Sequence, residues 1–170
     1  MVKIIAFLII VASSAKIGFD LSERYSNRTR ELKAFINILE KVKNEISFSN
    51  CIISDALARA AEVRVKSISN MIKHISASVK ERNICLTDAF DAYIQKNTDI
   101  SLNKNDMDEI RNFFAVFGSG DREDEISNIN SCIHNMNLFL QSSIEDEKRY
   151  VKLFRTSGLL AGFLIAIILA

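Results

Sequence analysis

The chain contains no proline, and only 5 of its 170 residues are glycine. Proline removes a backbone donor and clashes with the preceding turn, and glycine weakens a helix interior, so little in this sequence interrupts long helices. The apolar pattern agrees. Tyr25, Leu32, Phe35, Leu39, Val42 and Ile46 recur at spacings near three and four, as do Ile126, Ile129, Ile133, Met136, Leu140, Ile144, Val151 and Phe154, with Glu147 in the polar slot of that series. A repeat near 3.5 is the seam of an antiparallel helix pair. No sustained alternation and no Asn-Gly or Asp-Gly turn competes. The expected fold is all-α, about six helices in an antiparallel bundle, with the N- and C-terminal helices pairing as a stalk that continues into membrane segments.

Shorter helices are expected between those two. Ser54-Asp55-Ala56-Leu57 and Thr87-Asp88-Ala89-Phe90 each read as an N-cap followed by an apolar run. Ile68, Met71, Ile72, Ile75 and Val79 mark a helix between them. Asn103 with Asp106 forms a capping box that opens a helix running to Phe117, and Gly118 fits the position just past a helix end. Asp121 with Asp124 starts the last helix, whose first turns also hold Glu123 and Glu125, where negative charge suits the helix dipole.

Apolar character collects at the ends. Ile4 to Phe19 is interrupted by Ser13, Ser14 and Lys16, whereas Gly158 to Ala170 carries no charge. Both runs are shorter than the ~20 residues of a comfortable span, and snorkelling of Lys16 and Arg155 with local thinning of the bilayer makes up the length. Lys16, Arg24, Arg28, Lys148, Arg149, Lys152 and Arg155 flank the runs on their inner sides, which by the positive-inside rule puts the middle of the chain in the cytoplasm. The expected division is a membrane segment at 1–19, a cytoplasmic helical bundle at 20–156 and a second membrane segment at 157–170. A cleaved signal peptide, with Lys3 before an apolar stretch and Ala12-Ser-Ser-Ala15 as the cleavage site, is the alternative at the N-terminus.

Little chemistry is written in the remainder. A net charge of +1 gives no electrostatic footprint for nucleic acid. Cys51, Cys85 and Cys132 are odd in number and widely spaced, which suits buried or half-buried thiols in a reducing compartment better than disulfides. His74 and His134 stand at no ligand spacing from a cysteine, so neither metal nor cofactor is expected. Gly118-Ser119-Gly120 lacks the lysine and the preceding strand of a phosphate loop and reads as a helix-to-helix turn. No catalytic residues are expected.

The residues in order carry a resemblance. Gly18-Phe19, Tyr25, Arg28, Leu32, Leu39-Glu40, Glu45-Ile46 and Asp55-Ala56-Leu57 come first. Phe117-Gly-Ser-Gly-Asp-Arg122 is the most specific stretch, and Tyr150-Val-Lys-Leu153 and Gly158-Leu-Leu-Ala-Gly162 close the series. This pattern resembles the stage III sporulation protein AB family of endospore-forming bacteria over nearly the whole length. The chain departs from it where Cys51-Ile52-Ile53 replaces a proline-containing turn, where Phe48 replaces a tyrosine and where Glu125 replaces a glutamine. Through Leu86-Thr-Asp-Ala-Phe90 and Gly118 to Asp121 the family is in turn similar to the cytoplasmic domain of the type II secretion and type IV pilus inner-membrane platform protein.

The resemblance implies a non-enzymatic platform in the mother-cell membrane. It would belong to the channel linking mother cell and forespore and dock a secretion-type ATPase and other channel subunits, with association of copies of the chain as a further possibility. Gly118, Gly120, Asp121, Arg122, Asp124 and Glu125 are the candidate docking residues, at the end of the stalk expected to lie away from the membrane. Glycines admit a partner backbone and carboxylates pair with basic residues. The alternative from another class is a membrane-anchored bundle relaying a movement to a cytoplasmic regulator.

Overall fold

The computed structural model describes residues 2–48 and 52–169. They form six helices: α1 (Val2–Phe48), α2 (Ile53–Ala60), α3 (Lys66–Arg82), α4 (Leu86–Lys96), α5 (Lys104–Val116) and α6 (Arg122–Leu169), with no strand among the described residues. Cys51 lies outside those residues. The helices build two compact units, Arg30–Gln141 and Met1–Thr29 with Ser142–Ala170, and the long helices α1 and α6 contribute to both.

In the unit Arg30–Gln141, α2 packs on α3, α3 on α4 and α4 on α5. The apolar stripe of α1, Leu32, Phe35, Leu39, Val42 and Ile46, is buried, as are Ile68, Met71, Ile72 and Ile75 of α3. Phe114 of α5 gathers rings from three directions, with Phe35 at 6.5 Å edge-on, Phe90 at 5.7 Å and Phe113 at 5.4 Å. Such offset and edge contacts favour one packing arrangement beyond the area they bury. From α6 come Ile129, Cys132 and Met136. The period read from the sequence passed over Cys132, a small apolar side chain on the same stripe. Burial pushes its thiol up to about 12, with Glu109 adding to the effect, so it is an inert packing group. His134 is exposed.

The helix ends show which local signals were decisive. The capping box at α5 is present: Asn103 Oδ1 accepts from Asp106 N, and Asp106 Oδ2 accepts from Asn103 N, both at 2.9 Å. By contrast, α2 and α4 begin earlier than expected. Ile52 and Cys85, both extended and without side-chain caps, occupy the N-cap positions, and Ser54 and Thr87 lie inside the first turn. The repeated Asp then falls at the third helical position, where Asp55 and Asp88 face the positive end of the helix dipole, so the shared motif marks a start by charge instead of by a hydroxyl cap. Ser54 is buried, and its carbonyl accepts from Ser76 Oγ at 2.7 Å.

One buried charge holds three segments together. Glu31 on α1 is 3 % exposed. Its Oε1 accepts from Ser67 Oγ in the first turn of α3, and its Oε2 accepts from Ser101 N in the α4–α5 connection, each at 2.7 Å. Loss of solvation raises the carboxyl's pKa above its ordinary value and nearby Asp106 adds to this, against hydrogen bonds from Ser67, Ser101 and Leu102.

In the unit Met1–Thr29 with Ser142–Ala170, α1 and α6 run antiparallel at very close range. A Cβ on Gly18 would lie 2.6 Å from the carbonyl oxygen of Phe154, and one on Gly158 would lie 3.0 Å from Gly18 Cα, so only glycine allows the approach. Ser14 Oγ donates to the Gly158 carbonyl at 2.6 Å. Further along, Ser22 is buried, donates to the Phe19 carbonyl at 2.8 Å and accepts from Arg155 Nε at 3.3 Å. Tyr25 then stacks on Tyr150 at 5.0 Å and Phe154 at 5.8 Å. Arg28 meets Asp146 at 3.6 Å, and the Thr29 and Ser143 hydroxyls share a buried bond of 2.9 Å. The outer surface here is apolar: Ile9, Ile17, Phe19, Leu160, Leu164 and Ile168 are each at least half exposed.

Among the described residues, no helix is long and apolar enough to cross a membrane. The expected continuation of the stalk into membrane segments is therefore not established by the described residues.

Glu31 yields a stability prediction with a definite sign. A carboxyl whose folded pKa is raised contributes stability that is complete below the unfolded value and is lost as pH rises through the folded value. Glu31→Gln, which can still accept from Ser101 N, is expected to remove that pH dependence from denaturation midpoints measured between pH 4.5 and 7. Glu31→Ala leaves buried donors unsatisfied and is expected to cost about 2 kcal/mol in the same titrations.

Candidate docking site

The turn between α5 and α6 is built by its own hydrogen bonds. Phe117 ends α5 in an extended conformation, is buried, and stacks on Phe113 at 4.7 Å. That anchors the chain just before it reverses. Gly118 follows at φ +98°, in the left-handed region that side chains rarely adopt, and an added Cβ would sit 3.1 Å from Ile53 Cδ1. Gly118 thus occupies the position expected of it. Ser119 Oγ donates to the Val116 carbonyl at 2.7 Å. Asp121 caps α6, its Oδ1 accepting from Asp124 N at 3.0 Å.

Glu125 takes a different place from the one expected. It is 4 % exposed. Its Oε1 accepts from Gly118 N at 2.8 Å and from Gly120 N at 3.0 Å. The side chain therefore clamps the glycine turn from beneath, using bonds strengthened by the carboxylate charge. Its other oxygen is buried without a partner among the described residues. Gly118, Gly120, Asp121, Arg122 and Asp124 are all exposed, and Glu123 joins them on the surface. The structure thus brings the candidate residues into one hydrogen-bonded turn, with Asp121, Glu123 and Asp124 presented outward and Glu125 supporting them.

The basic residues flanking the apolar runs divide in the same way. Lys16, Arg24, Lys148, Arg149 and Lys152 are exposed. Arg28 is not, since its side chain is 12 % exposed and paired to Asp146. Arg155 lies over the Phe19 ring at 5.3 Å, a cation–π contact. Sequence reasoning missed Ser14, Gly18, Ser22, Gly158 and Gly162 as a set. The signal was their regular spacing of four, the small-residue pattern that lets helices touch backbone to backbone. Among the described residues, no group of three His, Cys, Asp or Glu side chains converges as metal ligands.

Fold and turn together define a helical scaffold: two long terminal helices with four short ones between them in the sequence, and a clamped acidic turn at the start of the last. The profile of stage III sporulation protein AB matches residues 3–170, and the chain belongs to that family of sporulation proteins. It is similar to the stage III sporulation protein AB of Bacillus subtilis (strain 168), with 20 % identity over 170 residues and 99 % of each chain covered. No solved structure matches it.

The clamp can be tested directly. Glu125→Ala is expected to speed amide hydrogen exchange at Gly118 and Gly120 by at least tenfold, whereas Glu125→Gln, which keeps one acceptor oxygen, holds them near the parent rate. Gly118→Ala is expected to cost about 1–2 kcal/mol in denaturation, because it forces a side chain into the left-handed region.

Proposed function

We propose that this chain is a non-enzymatic membrane platform in endospore formation. It would lie in the mother-cell membrane as part of the channel between mother cell and forespore, and dock a secretion-type ATPase and neighbouring channel subunits. The observation that carries the membrane half of this reading is the helix pair of residues 1–29 and 142–170. Its outer surface exposes Ile17, Leu160, Leu164 and Ile168, while its inner seam is made of glycine and serine. A water-soluble pair buries its large apolar residues against each other. A pair in lipid gains nothing from that, and associates through close backbone packing and interhelical hydrogen bonds such as Ser14 to Gly158.

Tyr25, Tyr150, Lys148, Arg149 and Lys152 follow the seam at the level where aromatic and basic residues belong in a membrane–water interface. Neither apolar run reaches a full span alone. In this reading Lys16 and Arg155 snorkel to the headgroups and the bilayer thins locally, with segments at 1–19 and 157–170 and a cytoplasmic body at 20–156. The positive flanks keep that body in the cytoplasm.

The docking half rests on the turn from Gly118 to Asp124. A clamped turn loses little entropy when a partner closes on it, and its outward carboxylates at Asp121, Glu123 and Asp124 suit a basic surface. Since Glu125 supports the turn from within, the contacts belong to Gly118, Gly120, Asp121, Arg122 and Asp124. Charge reversal at Asp121→Lys and Asp124→Lys is expected to reduce capture of the ATPase from sporulating cells by at least tenfold and to lower spore yield. Unchanged capture with normal spore yield removes the docking claim.

A further inference from the structure

We propose that α6 carries a site for an anionic phospholipid along the face that begins at Lys148 and ends at Leu160. This deepens the membrane reading and rests on it. A shallow groove of about 480 Å³ is lined by Lys148, Arg149, Lys152, Leu153, Thr156, Ser157 and Leu160. Residues 148, 152, 156 and 160 recur every four positions, so they form a single stripe on the helix.

The chemistry along the stripe is ordered. Lys148, Arg149 and Lys152 come first with Leu153 beside them, Thr156 and Ser157 next and Leu160 last, and the four-residue spacing continues into exposed Leu164 and Ile168. A phospholipid has the same order: phosphate, then ester oxygens, then acyl chain. The lengths agree as well. From Thr156 to Ile168, twelve residues of helix rise ~18 Å, close to the ~15 Å of hydrocarbon in one leaflet, and the cations lie beyond it at the headgroups.

The cations are available for a ligand. Lys148, Arg149 and Lys152 are exposed and enter no ion pair among the described residues, and Arg149 lies 5.6 Å from the Tyr150 ring, which orients its guanidinium. Of the neighbouring carboxylates, Asp146 is held by Arg28, and Glu145 and Glu147 form no ion pair with these cations among the described residues. A second basic hollow, lined by Arg30, Lys33, Lys41 and Arg64, includes Glu62 and spends Lys41 on the Glu62 carbonyl at 2.8 Å. It lacks the ordered descent from charge to hydrocarbon that marks the α6 face.

The test uses the full chain in neutral detergent, titrated with phosphatidylglycerol and read by native mass spectrometry. Flotation on vesicles of phosphatidylcholine alone is measured in parallel. The expected result is one tightly held phosphatidylglycerol and a loss of affinity of about 30-fold in Lys148→Gln/Lys152→Gln, from the attraction each basic residue contributes at an anionic surface. The control pair Lys16→Gln/Arg24→Gln should lose at least fivefold less. Inorganic phosphate at matched ionic strength should displace no more lipid than chloride does; full displacement would mean the site recognises free phosphate and would overturn the lipid assignment. Equal losses in the two double variants would reduce the effect to general charge and overturn the site while leaving membrane binding intact. Failure to float on phosphatidylcholine would instead strike the membrane reading itself.

Discussion

The approach of α1 to α6 at Gly18 and Gly158 is close enough to exclude a side chain at either position, and the pairing of the two helices within that unit follows from it. A methyl group on Gly18 would collide with the Phe154 carbonyl. That contact sets the antiparallel register. With Ser14 on Gly158, Ser22 meets Arg155, Tyr25 lies between Tyr150 and Phe154, and Thr29 reaches Ser143. A slip of one residue would misalign each of these partners, so the small residues specify the pairing and the larger ones reinforce it.

The two units solve different physical problems. Residues 30–141 make an ordinary water-excluding core, with aromatic rings around Phe114 and a buried carboxylate, Glu31, linking α1 to α3 and to the α4–α5 connection. Glu31 is costly to desolvate, and it holds its place through accepted hydrogen bonds. Around Ser14, Gly18, Gly158 and Gly162 the usual order is reversed, with these small groups within and Ile9, Ile17, Leu160, Leu164 and Ile168 outside. That inversion suits a nonpolar solvent, and it is the physical basis for reading the pair as an anchor and the α6 stripe as a lipid contact.

Much of the fold was legible in the sequence because helices announce themselves locally. The absence of proline, the 3.5-residue repeats, the Asn103–Asp106 box and the left-handed Gly118 are all short-range signals, and the structure bears them out. Tertiary roles were harder to read. Glu31 looks like any charged residue in a helical stripe until Ser67 and Ser101 converge on it. Glu125 reads as one more acid of a helix start, and only the folded turn shows it beneath Gly118 and Gly120. The Ser54 and Thr87 hydroxyls resembled caps because capping and first-turn positions draw on the same residue types, and the choice between them depends on where the preceding backbone becomes extended. In the candidate docking turn the exposed members were identifiable from composition, and the clamp was not.

A membrane anchor requires the small-residue helix pair to be immersed in lipid. Alkaline carbonate extraction of membranes from sporulating cells tests this most directly, because it strips proteins held by charge and leaves those held by hydrocarbon. The full-length chain is expected to stay with the membrane pellet. Its release into the supernatant would contradict the anchor, and with it the platform.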